Sequence, residues 1–409
     1  MSARYKLVIV VWAMQFVNYL DRVNISVAGP TMMKSLSINP AQFGVVLAAF
    51  TLGYAAMQIP GGFLADRFGS KALLIGAPVV WSMFTGLTGV ATTVSALMAV
   101  RFCFGLAEGA SNASCYKLVG DNFPSKERSR ANGIWLTALA LGPASVAPAA
   151  SWFLQRVGWQ HLFYYFSIPG LLVALIIYFV VPPQKRALAV ERTVKQTNAE
   201  PTAHPLAKRS TWLIFIGYLT FNIGYWGYLG WMPSYLALER NLNLVELGSA
   251  ASVPYLFGFL GLVVFAILGS SSLHRHKPQL VAAVYLLASV SLYGTYSAKT
   301  VVGCLVGLSA TAFFLYGGFA PTAALLLDFG PLEGRGAFAG FINTGGQLGG
   351  FVAPLAVGFA VHETGSFADG FLFMIGALCL SAASYLTLSF FSVPVTTISP
   401  SVVLAERPE

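Results

Sequence analysis

The run RFCFGLAEG, Arg101 to Gly109, decides how the chain is read. It lies inside an apolar stretch that begins near Leu97, and it carries an arginine and a glutamate seven residues apart. On an α-helix seven residues turn through about 700°, so Arg101 and Glu108 fall on one stripe. A full charge at bilayer depth costs about 3 kcal/mol even on the lenient insertion scale. A second apolar run, near the N-terminus, carries Asp21 and Arg22. Elsewhere nearly every charged side chain falls in a gap between apolar runs. These four charges therefore point to a task at membrane depth.

The rest of the composition agrees. Of 409 residues, 56% are hydrophobic and 10% charged, against about 25% charged in a soluble domain. A soluble protein so composed would have too little polar surface, so membrane residence is the class that fits. The formal net charge of +9 could suggest nucleic acid. The basic residues follow topology instead of one amphipathic face, which excludes that partner and leaves the lipid bilayer. Cys103, Cys115, Cys304 and Cys379 sit in or at the ends of apolar runs without a CxxC, and read as small apolar filler. His161, His204, His274, His276 and His362 all fall in or near connections. No metal site, no catalytic histidine and no cofactor is expected. The first apolar run is too long for a cleavable signal peptide.

Twelve apolar segments have spanning length: 7–29, 41–63, 72–92, 95–116, 131–154, 160–182, 211–236, 247–269, 279–297, 300–326, 337–360 and 370–393. Backbone groups in lipid need internal partners, so these must be helices. An even count puts both termini on one side. Of the 24 Lys and Arg residues, Lys34, Arg156, Arg240 and Lys299 then fall in outer loops and Arg22 and Arg101 within spans. The others lie on the inner side, so the termini are expected in the cytoplasm, with the chain in the inner membrane.

The longest polar gap, 183–210, divides the segments six and six. It has too few apolar residues to fold alone and reads as a cytoplasmic linker rather than a regulatory domain. The expected units are a bundle over 1–182, this linker, a bundle over 211–393 and a tail over 394–409. The two bundles repeat. After the fourth segment comes DNFPSKERSRANG, with Asp121, Pro124, Arg128 and Gly133; after the tenth comes DFGPLEGRGAFAG, with Asp328, Pro331, Arg335 and Gly340. The offset is 207 residues, and Gly142 and Gly349 keep it. Paired six-helix halves about an axis along the membrane normal are a transporter architecture, with the substrate site between them near the midplane. At the same offset Asp21, Arg22, Arg101 and Glu108 map to Tyr228, Leu229, Leu308 and Leu315. The charged machinery belongs to the first half alone.

Between segments two and three stands GGFLADRFGSK, Gly61 to Lys71. Its glycines permit a tight turn and close helix approach. Asp66 can cap the next helix or pair across the inner face, with Arg67 and Lys71 at the membrane surface. The pattern resembles the loop signature of the major facilitator superfamily. The resemblance implies a gating role for Gly62, Asp66, Arg67, Gly69 and Lys71. NYLDR (Asn18 to Arg22), Arg101 with Glu108, FPSKERSRANG, WMPSYL (Trp231 to Leu236) and NTGGQLGGFVAP (Asn343 to Pro354) are similar to the anion:cation symporter branch. That branch holds sialin, phthalate permeases and sugar-acid/proton symporters. The resemblance covers the whole chain. It implies that Arg22 binds the substrate carboxylate and that Asp21 and Glu108 carry protons. It implies that Arg101 pairs with these acids during the cycle, and that Tyr19, Tyr54 and Asn343 line the cavity. One departure is Tyr218 in GYLTFN, where several sugar-acid members carry a glutamine. It counts against a polyhydroxylated substrate.

The residue types agree independently. Arg offers a planar fork and stays charged, which suits carboxylate capture. A buried acid near an arginine is tunable: separating Glu108 from Arg101 favours protonation and joining them favours release. The bland alternatives are a static Arg101–Glu108 pair, and a headgroup position for Asp21 and Arg22. For Tyr19 and Tyr54 the alternative is an interfacial aromatic; for Asn343 it is a helix-bridging amide. Asn222 and Tyr225 in FNIGYWGY are further cavity candidates, equally able to be packing residues. Gly345/Gly349 and Gly346/Gly350 read as close helix packing.

The expected protein is an all-α integral membrane chain, a monomer that imports a small organic anion with protons by alternating access. It has no Walker motif, so an ion gradient must drive it. Drug/proton antiport is the alternative, although GPASVA at Gly142 lacks the GPxxGG of many exporters. A membrane enzyme would need a nucleophile with a base, or metal ligands, at depth. A non-transporting sensor on the same fold is the third rival.

Overall fold

In a bilayer, backbone amides must bond within their own segment. The computed structural model describes residues 3–182, 208–270, 273, 276–330 and 335–391, and among these every regular element is a helix. Twelve spans run up and down. They are α1 (Ala3–Leu36), α2 (Pro40–Phe68), α3 (Ser70–Thr88), α4 (Val94–Gly109) with α5 (Asn112–Asn122), α6 (Ser125–Leu136) with α7 (Ala138–Arg156), and α8 (Gly158–Val180). The second set is α9 (Arg209–Leu238), α10 (Leu244–Ala250) with α11 (Ser252–Ser270), α12 (Lys277–Ser297), α13 (Val301–Gly317) with α14 (Phe319–Phe329), α15 (Arg335–Thr364) and α16 (Ala368–Leu388). The interior of the linker and the C-terminal tail lie outside the described residues.

Local chemistry sets the ends. Asn39 caps α2 reciprocally with Gln42, at 2.8 and 2.9 Å, and Pro40 opens the helix. Thr93 caps α4 through the Ala96 amide, and Thr300, 207 residues on, caps α13 through the Gly303 amide. The internal repeat thus extends to the caps. It extends to a break as well: the fourth span is interrupted at Ser111 and the tenth at Gly318, again 207 residues apart.

Two stretches read as loops are mostly helix. GGFLADRFGSK continues α2 to Phe68, and a single residue turns the chain: Gly69, at φ +85°, a conformation that disfavours any side chain. Gly61 makes the close approach, since a Cβ there would lie 2.8 Å from the Ala110 Cα. Gly62 does neither and faces open space. FPSKERSRANG shrinks to the pair Phe123–Pro124 between α5 and α6. Polar sequence marked these segments as connections, but helices that leave the bilayer need no apolar side chains on their last turns.

Packing places the site between two bundles, α1–α8 and α9–α16. In the first, α2 and α4 touch through glycines: a Cβ on Gly105 would lie 2.8 Å from the Tyr54 amide nitrogen. In the second, Gly345 and Gly349 of α15 let α9 approach, with Phe215 and Ile223 backbone atoms 3.2 and 3.1 Å from where a Cβ would stand. On the face opposite the termini the bundles close. Phe43 of α2 meets Trp231 of α9 edge-on at 5.7 Å, both fully buried. Toward the termini α2 stays joined to α15 by a bond from the Asn343 amide to the Gln58 side-chain oxygen. On the other flank a cavity runs that way, past Leu136, Leu262, Ala323 and Leu326.

Candidate functional site

Gln15, Asn18, Tyr19 and Arg22 stand at helical spacing on one face of α1. They line a 270 Å³ cavity between the bundles, with Tyr54 from α2, Glu108 from α4 and Ser111 from the break before α5. Tyr218 of α9, Leu262 of α11 and Phe319 of α14 form the opposite wall. The breaks in spans four and ten therefore both reach this cavity.

Arg22 is 9% exposed and its Nε donates to Glu108 Oε2 at 2.7 Å. Its guanidinium carbon lies over four rings: Tyr19 at 4.6 Å, Tyr54 at 4.9 Å, Phe50 at 5.3 Å and Trp226 of the second bundle at 5.9 Å. Aromatic faces attract a cation without neutralising it, so the charge stays available to an anion in the cavity. Glu108 is fully buried, and its second oxygen, Oε1, has no hydrogen-bond partner. Asn18 faces the same carboxyl.

The four sequence charges do come together, but the pairing differs from expectation. Glu108 takes Arg22, not Arg101. Two positions seven apart on a helix share a face but stand about 10 Å apart along the axis. A direct partner must come from a neighbouring helix, and α1 supplies it. Arg101 is 3% exposed, lies over Phe104 at 4.6 Å and Phe50 at 5.1 Å, and leaves its Nε unpartnered. Phe50 thus lies beside both guanidiniums. Arg101 feels Glu108 and Asp21 electrostatically without touching either. Asp21 is fully buried and turned away from the cavity toward α3 and α4. Its Oδ1 accepts a long bond of 3.4 Å from Asn24, its Oδ2 has no partner, and Trp81 faces it.

The remaining candidates divide. Tyr19 and Tyr54 line the cavity and cage Arg22. Asn343 is not among the lining residues; it holds Gln58 across the bundles, the bridging alternative. Asn222 donates to the Tyr218 carbonyl of its own helix at 2.8 Å. Tyr225 sits behind the wall, packed against Phe319 at 4.9 Å and Tyr316 at 5.5 Å, its hydroxyl unpartnered. Lys71 donates to the Tyr178 carbonyl at 2.8 Å, tying α3 to α8. Arg67 is exposed over Phe68. The Asp66 side chain lies outside the described residues. Sequence reading missed Gln15, Ser111, Trp226 and Phe319. The Gln15–Asn18–Tyr19–Arg22 spacing was a visible signal; nothing local marks the other three. Among the described residues no group of His, Cys, Asp and Glu could hold a metal.

Known proteins bear on this arrangement. Residues 11–354 match the Major Facilitator Superfamily. The chain is 31% identical to the "Probable galactarate/D-glucarate transporter GudP" of Escherichia coli (strain K12), over 95% of this chain and 93% of that one. It is 28% identical to the "Hexuronate transporter" of Bacillus subtilis (strain 168), over 90% of each. The fold is similar to that of a D-xylose-proton symporter, with a TM-score of 0.77 at 16% identity, covering 95% of this chain and 97% of that one. The chain belongs to the Major Facilitator Superfamily, as a secondary transporter of its anion:cation symporter type.

Proposed function

We propose that the chain imports a small organic carboxylate together with protons by alternating access, Arg22 and Glu108 forming the coupling pair. One observation carries this: the cation that lines the cavity is bonded, at 2.7 Å, to a fully buried acid. A substrate carboxylate and ionised Glu108 compete for the same guanidinium. Protonating Glu108 releases Arg22 to the substrate, and the loaded carrier then holds one proton and one anion. After reorientation the proton leaves and Glu108 reclaims Arg22, which expels the substrate. Arg101 steadies the negative charge while it moves between Glu108 and Asp21, and Asp21 serves as a second proton site. The printed names of the relatives support sugar acids as one substrate class within this reading.

The turn at Gly69, with Gly62, Asp66, Arg67 and Lys71 around it, acts as the gate on the terminal face. That face is cytoplasmic, the membrane is the inner membrane, and one chain is the working unit. Residues 1–182 and 211–393 move as the two bundles, joined by the 183–210 linker. The test is uptake of a labelled carboxylate into vesicles under an imposed pH gradient. Uptake should follow the gradient and vanish in Arg22→Ala. Arg22→Lys should restore it poorly, because a point charge cannot reproduce the fork. Gradient-independent uptake, or wild-type affinity in the alanine variant, would remove this assignment.

A further inference from the structure

The cavity is two-ended. Its polar groups stand together at Arg22: Gln15 Nε2 donates to Cys115 Sγ at 3.3 Å and Ser111 Oγ donates to the Glu108 carbonyl at 2.8 Å, while Asn18 Oδ1 and Glu108 Oε1 are unpartnered. Beyond them the wall is apolar except for Tyr218, whose side chain faces Asn222 of its own helix. Phe319 lines it and is itself fixed edge-on against Tyr225 at 4.9 Å and Phe221 at 5.2 Å. Leu139, Leu262 and Ala323 complete that side. Among the described residues no cation other than Arg22 lines the cavity.

A ligand with a carboxylate at each end would press its second charge against this wall, where no partner waits. A ligand with hydroxyls along its length would leave those beside Phe319, Leu139, Leu262 and Ala323 unbonded, and each donor or acceptor so stranded weakens binding. A flat apolar ring loses nothing there and gains contact with aromatic edges. The cage around Arg22 continues the aromatic surface, since Tyr19 and Tyr54 both stand over the guanidinium and line the cavity.

We infer that this cavity takes a monocarboxylate with an unhydroxylated aromatic body, its carboxylate on Arg22 and its ring against the Phe319 wall. The inference rests on the carboxylate-transport reading and narrows it. It sets this chain's own ligand apart from the sugar acids for which its relatives are named.

Thermal shift of the purified full chain, with competition for vesicle uptake, separates the possibilities. The probes are benzoate, phenylacetate, gluconate and galactarate. Benzoate or phenylacetate should raise Tm and compete. Gluconate should bind at least about tenfold more weakly and galactarate not measurably. Arg22→Ala should abolish the response to the aromatic acids. A response that survives in that variant is partitioning into apolar surface, and overturns the inference. Tyr218→Gln places an amide on the wall and should narrow the gap between benzoate and gluconate. Gluconate or galactarate binding as tightly as benzoate, and through Arg22, overturns the inference while the carboxylate reading stands. Silence from all four overturns both.

Discussion

Glu108 shows how much one neighbour decides. As an acid on an apolar helix it would be costly anywhere in the bilayer. Paired with Arg22 at 2.7 Å it becomes one half of a neutral unit. Removing one partner of a buried pair typically costs about 3–5 kcal/mol, because the other charge is left unmatched. Glu108→Ala should therefore unfold more easily, a lesion of little use for mechanism. Glu108→Gln is the informative change, since volume and hydrogen-bonding reach barely alter. It fixes the side chain in a protonated-like state and leaves Arg22 to the substrate. Wild-type affinity should weaken as pH rises and Glu108 ionises onto Arg22; affinity in the glutamine variant should be flat over the same range. Net pH-driven uptake should collapse, since glutamine cannot release a proton, while exchange of labelled for unlabelled substrate persists. Undiminished proton-driven uptake would take Glu108 out of the cycle.

At the scale of helices, close approach does the work of specification. Glycines 53 and 105 let the backbones of α2 and α4 touch, which brings Tyr54 and Glu108 into one cavity. Gly105→Ala would put a methyl group 2.8 Å from the Tyr54 nitrogen. A lower Tm should follow, reflecting about 1–3 kcal/mol of overpacking, with weaker substrate affinity because Tyr54 shifts from Arg22. A thermal melt and a binding isotherm of the variant check both, and unchanged values would mean that the helices part without consequence. Twelve spans were legible from apolar runs because lipid demands them. Nine of the described helical stretches are long and apolar enough to cross a membrane; the spans that fall short are α1, α4 with α5, and α9. Those are the elements that carry Arg22, Glu108 and Tyr218. The site was legible as the charges that Arg22 and Glu108 place inside apolar runs, and both line the cavity. Which charge pairs with which was not legible. The stripe rule gives the face of α4, whereas the partner depends on how α1 lies against it.

Across the whole molecule, the 207-residue repeat predicted two bundles, and the structure carries it into caps and breaks. Their mutual position could not be read from the repeat, because a carrier must adopt more than one. Here the face opposite the termini is sealed where α1, α2, α9 and α15 meet. A Cβ on Gly44 would lie 2.5 Å from the Pro354 carbonyl oxygen and 3.4 Å from the Gly358 Cα, and one on Gly29 would lie 2.8 Å from the Phe43 ring. A larger residue at Gly44 has nowhere to go while α2 and α15 are closed. Gly44→Val should then hold the two bundles apart on that face. Each bundle keeps its own core, since α2 still packs on α4 through Gly53 and Gly105. The folded variant should retain substrate binding, as Arg22 and its cage lie deeper. It should lose uptake and exchange together, because neither can proceed without sealing that face. Glu108→Gln loses uptake alone, so measuring both activities on both variants distinguishes a failed seal from a failed proton exchange. Exchange at the wild-type rate in Gly44→Val would mean that the contact between α2 and α15 is not part of the cycle.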